Sequence, residues 1–331
     1  MLTPPQGGKR DRPDRVLVVP LRRTVALAAG LVAVPSAGAH TGAVSDAAWW
    51  TQWHLHPVIV PNLILLTALY IMGWRRRHRL QPPPAGVRPW QAWAFAGGMV
   101  SLAAALLSPL DVFANELLTV HMIQHTVLMN VAAPLLVLGA PLRVWWWALA
   151  DERRHHWARW RRTAGRRGWP GYLFWQPLLL WGLFAAMLWT WHLPVLYEAA
   201  LRYPWIHDVQ HLGFFITAAL YWRVLFDPLG RRQLGRLRAL LYLFTTSLHA
   251  ALLGVFMALA PRLWYASYAA TAPRWGWDPL ADQQLAGYVM WMPAGVTYVI
   301  VAAGLLAQGL AREPEDLRFS AAAKAAGSGT S

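Results

Sequence analysis

The chain has 331 residues, 56% of them hydrophobic and 14% charged, with no cysteine; that balance is too apolar for a soluble domain of ordinary composition. Without cysteine, disulfides, thiolate metal ligands and thiol catalysis are all excluded. The formal charge of +15 would suit nucleic acid, but the arginines fall in short loops between long uncharged stretches, so membrane topology accounts for them and no nucleic-acid partner is expected.

Residues 1–39 read as a targeting segment. Lys9, Arg10, Arg12, Arg15, Arg22 and Arg23 make a basic start, residues 24–34 are apolar, and Ala37, Gly38 and Ala39 are small enough for a signal-peptide cleavage site. An uncleaved N-terminal anchor is the alternative. Cleavage after Ala39 would leave His40 with a free amine beside its ring, a pair that chelates Cu(II).

Seven candidate spans follow, at 58–74, 90–108, 117–139, 172–191, 207–225, 239–260 and 284–310. Each approaches the ~20 residues that cross a bilayer as a helix. A barrel would show short alternating strands instead. The expected fold is therefore all-α, a polytopic transmembrane helix bundle of about seven spans within residues 40–311. Residues 312–331 read as a disordered cytoplasmic tail. Many of the 22 tryptophans flank the apolar stretches, as membrane-interface anchors do. Pro134 and Pro293 fall inside spans and are candidate kinks.

Arginine placement gives the orientation. The loops 75–89, 151–171 and 226–238 carry five, seven and four arginines. The loops between them carry none, one (Arg202) and two (Arg262, Arg274). By the positive-inside rule the mature N-terminus lies outside and the C-terminus inside a cell (inner or plasma) membrane. A cleaved signal peptide leads to the same start.

The twelve histidines carry the chemistry. His78, His155 and His156 sit in basic loops and read as a solvated face. His54 and His56 precede the first span, and His249 falls near the middle of the sixth. His121 and His125 lie in the outer half of the third span, His192 at the outer end of the fourth, and His207 and His211 at the start of the fifth. Two of these groups are His-x-x-x-His, and residues four apart share one helix face. Such a pair presents two imidazoles to one ion, and imidazole suits Cu, Zn, Fe and Ni. Ionisable residues within spans usually face the bundle interior. Met257, Met290 and Met292 are candidate soft ligands for Cu(I), with packing the ordinary role. Asp278 and Asp282 are placed in the last outer loop, as candidate acceptors orienting a histidine ring or as solvated loop acids. Asp111, Glu116 and Glu198 add carboxylates on the same side.

Four segments in order along the chain carry a resemblance. His121-Met-Ile-Gln-His125 runs on to Ala132-Ala-Pro-Leu-Leu-Val-Leu-Gly-Ala-Pro141. Trp191-His-Leu-Pro-Val-Leu-Tyr-Glu-Ala-Ala200 comes second. His207-Asp-Val-Gln-His211 with Tyr221-Trp222 is third, and Asp282-Gln-Gln-Leu-Ala-Gly287 with Trp291 is last. Together they resemble the CtaG-like cytochrome c oxidase assembly factors, a multi-helix membrane family associated with caa-type oxidases. The resemblance implies a role in building haem–copper oxidase, with oxidase subunits as partners. It implies His121, His125, His192, His207, His211 and Asp282 as the functional, metal-binding positions. Neither His249 nor the His54/His56 pair matches the pattern.

Three readings of function stay open on these residues. One is a non-enzymatic assembly factor that binds or delivers copper at the outer face. The second is a haem-binding membrane oxidoreductase or haem-handling enzyme, since histidines on different helices clamp haem axially. A purely structural membrane chaperone, its histidines making interhelical hydrogen bonds, is the third. A transporter is less well matched, for want of paired broken helices in two halves.

Overall fold

The structure, a computed structural model, describes residues 51–53, 55–80, 86–156, 176–226 and 234–327, with backbone alone from 308. All of these belong to one compact unit covering residues 38–331. Residues 1–39, expected to be a targeting segment, His40, His54 and parts of the three basic loops lie outside the described residues.

Among the described residues every ordered element is helical and no strand occurs. In chain order the helices are α1 (Ile59–His78), α2 (Trp90–Leu107), α3 (Pro109–Phe113), α4 (Leu118–Val127), a π-helical turn (Leu128–Ala132), α5 (Ala133–Leu138), α6 (Pro141–Ala148), α7 (Pro177–Trp191), α8 (Pro194–Arg202), α9 (Pro204–Phe226), α10 (Arg236–Ala258), α11 (Tyr268–Thr271), a 3-10 turn (Ala272–Trp275) and α12 (Pro279–Gly327). Proline opens α3, α6, α7, α8, α9 and α12. At a helix's first position its missing N–H costs nothing, because that donor has no partner within the helix.

Five helical segments are long and apolar enough to cross a membrane: Trp90–Leu107, Leu118–Leu138, Pro204–Phe226, Arg236–Ala258 and Pro279–Ala307. The pair α7 and α8, bent by 73°, makes a sixth if counted as one span. That is fewer than the seven expected, and α1 accounts for the difference. It is 20 residues long, but its last turn is Arg75, Arg76, Arg77 and His78, which leaves a shorter apolar part. The bend between α7 and α8 also has a local cause: Pro194 holds Leu193 in an extended conformation, with ψ 129°, and supplies no N–H to continue the helix.

Other boundaries shift. Helix α9 starts at Pro204, before His207. Helix α12 starts at Pro279, so Asp282 lies in its first turn and not in a loop. The helical backbone of α12 runs on to Gly327.

Helix α4 and the π turn pack against α2, α9 and α12, and α10 runs along α12. The α10–α12 contact is close because glycines meet there. A Cβ on Gly287 would come within 2.6 Å of the Gly254 carbonyl oxygen and the Ala258 nitrogen. Small residues permit such backbone approach between membrane helices.

The π turn follows from Pro134. Proline lacks the N–H that would bond the Asn130 carbonyl in an α-helix. The Ala133 N–H reaches back five residues to the Leu128 carbonyl, which frees the carbonyl of Met129. That oxygen accepts from the Trp222 indole N–H of α9 at 2.9 Å. An inserted residue of this kind re-aims the side chains before it, and π turns recur at functional sites. We predict that Trp222→Phe, which keeps the ring packing but removes the donor, lowers stability by about 1–3 kcal/mol, read from the unfolding midpoint in detergent.

Candidate metal centre

Helix α4 carries His121 and His125 one turn apart, and α9 carries His207 and His211 in the same way. The two helices bring the pairs together. Nε2 of His121 is 3.0 Å from Nε2 of His125. The ring of His211 lies 5.3 Å from that of His125 and 6.2 Å from that of His121, centre to centre. One ligand nitrogen from each of His121, His125 and His211 lies within 4.8 Å of the other two. All three side chains are buried. His207 adjoins the trio, its ring 4.1 Å from His211 and 5.2 Å from His121.

His192 stands one layer away. It caps α7, and its Nδ1 donates to the Leu188 carbonyl at 2.7 Å. The rings of Tyr197 and Phe214 lie 6.2 and 6.1 Å from its own. Its Nε2, together with His125 Nδ1 and His211 Nε2, is buried without a hydrogen-bond partner among the described residues. Buried polar atoms are normally paired; these three ring nitrogens, like both nitrogens of His249, are not paired among the described residues.

The tautomer of His121 follows from its neighbour. Tyr268 donates its single hydroxyl proton to the Ala114 carbonyl at 2.9 Å. Its oxygen therefore accepts from Nδ1–H of His121, 3.0 Å away. This makes His121 Nε2 the acceptor of the Nε2–H of His125, 3.0 Å away, and leaves the free lone pair of His125 on Nδ1; an outer hydrogen bond of the Tyr268 kind is what fixes the tautomer of metal-binding histidines. Burial raises the Tyr268 hydroxyl well above its ordinary pKa, so it stays a neutral donor.

Asp282 does not join the histidines. Its carboxylate accepts from the backbone N–H of Leu118 at 2.7 Å and of Thr119 at 3.1 Å, and its carbonyl accepts from the Thr119 hydroxyl at 3.0 Å. Leu118 and Thr119 open α4, and such first-turn N–H groups have no partner inside their own helix. Asp282 is thus an N-cap delivered from another helix, and it sets the position of the helix that bears His121 and His125.

The other outer carboxylates are similarly occupied. Glu116 accepts from the Trp275 indole at 3.2 Å. Glu198 accepts from the Ser267 N–H at 3.0 Å and from the Ser267 hydroxyl. Asp111 accepts from Gln124 at 2.7 Å, and Asp278 caps α12 through the Ala281 N–H at 2.8 Å. The Tyr265 hydroxyl donates to the His192 carbonyl at 2.9 Å, and its ring stacks on Tyr197 at 4.1 Å. Residues 261–278 therefore close over the histidines.

Of the remaining candidates, Met257 and Met290 are core residues and Met292 is exposed. His56 faces Asp208 at 3.8 Å, beside the cluster but outside it. His249 lies between Trp181 and Phe184, with ring centres 5.5 and 6.5 Å away. Sequence reasoning missed Tyr265 and Tyr268 as supports of the site, and it met Trp222 only as part of the third motif, without a role. The one available signal was two tyrosines three residues apart in a short outer loop.

Comparison with known proteins gives the family. The model of the family described as cytochrome c oxidase caa3 assembly factor matches residues 68–312, which contain every histidine of the cluster. Uncharacterized proteins of Mycobacterium leprae, Mycobacterium bovis and Mycobacterium tuberculosis are each 24% identical over 270 residues, covering 78% of this chain. The match covers 40% of the first of those proteins and 39% of the other two, so the chain spans about two fifths of the length of these curated relatives. No solved structure matches.

Two substitutions probe the supports. Asp282→Ala leaves two buried N–H groups without an acceptor and should cost roughly 3 kcal/mol, with Asp282→Asn intermediate because its amide oxygen still accepts one bond. The unfolding midpoint measures both. Tyr268→Phe should weaken metal binding by about 10–100-fold, the usual effect of losing an outer hydrogen bond, in a competition titration.

Proposed function

This chain belongs to the cytochrome c oxidase caa3 assembly factor family, and from that membership we propose that it serves oxidase assembly by holding one copper ion at His121, His125 and His211. The observation that carries the reading is the convergence of three buried imidazole nitrogens within 4.8 Å of one another. Donor chemistry is compatible: imidazole is a good copper ligand, and without thiolate the site does not favour the softest ions. His207 completes the set as a fourth imidazole beside His211, and His192 stands ready in the next layer. Asp282 acts through α4, as the positioning residue of the two histidines that helix bears.

The arginine distribution puts this cluster near the outer face of the cell membrane, with the C-terminus inside. Haem–copper oxidase subunits are the partners, and the bilayer is the medium. No bond of a substrate is made or broken in this role, so the protein is not an enzyme. What copper supplies is itself, as cargo for a client.

Haem cannot sit between His121 and His125, which share one helix with their Nε2 atoms 3.0 Å apart; a haem here would take one ligand from α4 and one from α9, leaving a further buried imidazole on each helix outside the iron. A purely structural role leaves the bare nitrogens of His125, His192 and His211 without a reason.

Elemental analysis of purified protein tests the reading. Near-stoichiometric copper is expected in the wild type, lost in His121→Ala and His211→Ala and retained in His78→Ala. Copper content unchanged in the first two variants, or a wild type that takes up none from copper-replete medium, contradicts it.

A further inference from the structure

Away from the histidines, an apolar pocket of about 260 Å³ opens among α1, α2, α5, α6 and α9. Met99, Leu136, Phe215 and Leu220 are among its walls, and Ala140 and Ala219 leave the space that larger side chains would fill. Its lining has only two charged groups, Arg143 and Arg223. Both are half-buried. Arg223 lies in the last turn of α9. Arg143 donates to the Gly86 carbonyl, in the loop that follows the basic end of α1. The same end carries Arg76, which bonds the Leu149 carbonyl at 3.2 Å, and Arg77, which bonds the Val87 carbonyl at 3.1 Å. The pocket thus runs from the apolar middle of the bundle toward the face that bears the basic loops.

An aqueous ligand has little to gain from walls this apolar, and a neutral hydrocarbon would not need the arginines. One common membrane molecule satisfies both halves. We propose that this groove is a binding site for an acidic phospholipid of the inner leaflet, with one acyl chain between α2 and α9 and the phosphate against Arg143 and Arg223. Basic pockets between membrane helices on the cytoplasmic side bind acidic headgroups for the same reason: the phosphate meets fixed positive charge at the depth where lipid headgroups lie. Arginine suits this role, because its planar fork bonds two phosphate oxygens at once. A lipid wedged there joins the α1–α6 side of the bundle to α9, the helix that carries His207 and His211.

The full-length protein, delipidated in mild detergent, tests the site. Retention of phosphatidylglycerol is compared with that of phosphatidylcholine carrying the same acyl chains, with glycerol 3-phosphate as a competitor that has a headgroup but no chain. Phosphatidylglycerol should be retained at least about tenfold better, since its headgroup carries a net negative charge toward the two arginines whereas the choline ammonium cancels that of phosphatidylcholine, and glycerol 3-phosphate should not displace it. The double variant Arg143→Gln/Arg223→Gln should lose the preference, and Ala219→Trp, which fills the pocket and leaves the charges, should lose retention of both lipids. The unfolding midpoint in lipid-free detergent identifies any variant that fails to fold. Equal retention of the two lipids by the wild type overturns the proposal on its own, as ordinary annular contact. Displacement by glycerol 3-phosphate, or a preference that survives in folded Ala219→Trp, overturns it as well.

Discussion

The backbone N–H groups of buried Leu118 and half-buried Thr119 open a helix, and nothing in their own helix can accept from them. The carboxylate of Asp282, 164 residues further along the chain, is their acceptor. Most of the site's geometry depends on this contact. It ties α12 to α4, fixes the height and rotation of α4, and so decides where His121 and His125 point. A carboxylate at a helix N-terminus also meets the positive end of the helix dipole, which offsets part of the cost of burying its charge.

Around that junction the outer segment 261–278 works as a cover. Tyr268 links His121 to the Ala114 carbonyl, Tyr265 holds the turn at His192, and Thr271 donates to the Glu116 carbonyl at 2.8 Å. The acids that looked available to attract a cation are spent as acceptors in this cover. What remains chemically open is a set of imidazole nitrogens behind it.

Much of this was legible in the sequence. Histidines four apart in two apolar spans share a face by helical periodicity alone, and polar groups in spans turn inward, so pattern and topology put His121, His125, His207 and His211 on one side of the bundle; their approach to within a few ångströms depends on how α4 packs against α9 and was not legible. Asp282 was legible as important but not in its role. Its partners are two backbone amides that no residue type announces, and its place in a helix instead of a loop hinged on Pro279 being read as a helix start. Pro134 was visible as an irregularity, whereas its consequence, a freed Met129 carbonyl bound by Trp222, depends on which side chain of α9 lies opposite. Tyr268 could not be separated from the many other aromatics of this chain. Among the described residues five or six helices pass for spans by length and apolar content, and α1, helical throughout but apolar only in part, does not join them.

The central claim is that three histidines hold one copper ion without sulfur. X-ray absorption of the copper-loaded protein tests it most directly. The account predicts a first shell of nitrogen scatterers with the outer-shell pattern of imidazole, from three or four rings. A sulfur scatterer in the first shell, or a shell unchanged when His121 and His211 are both replaced, would contradict it.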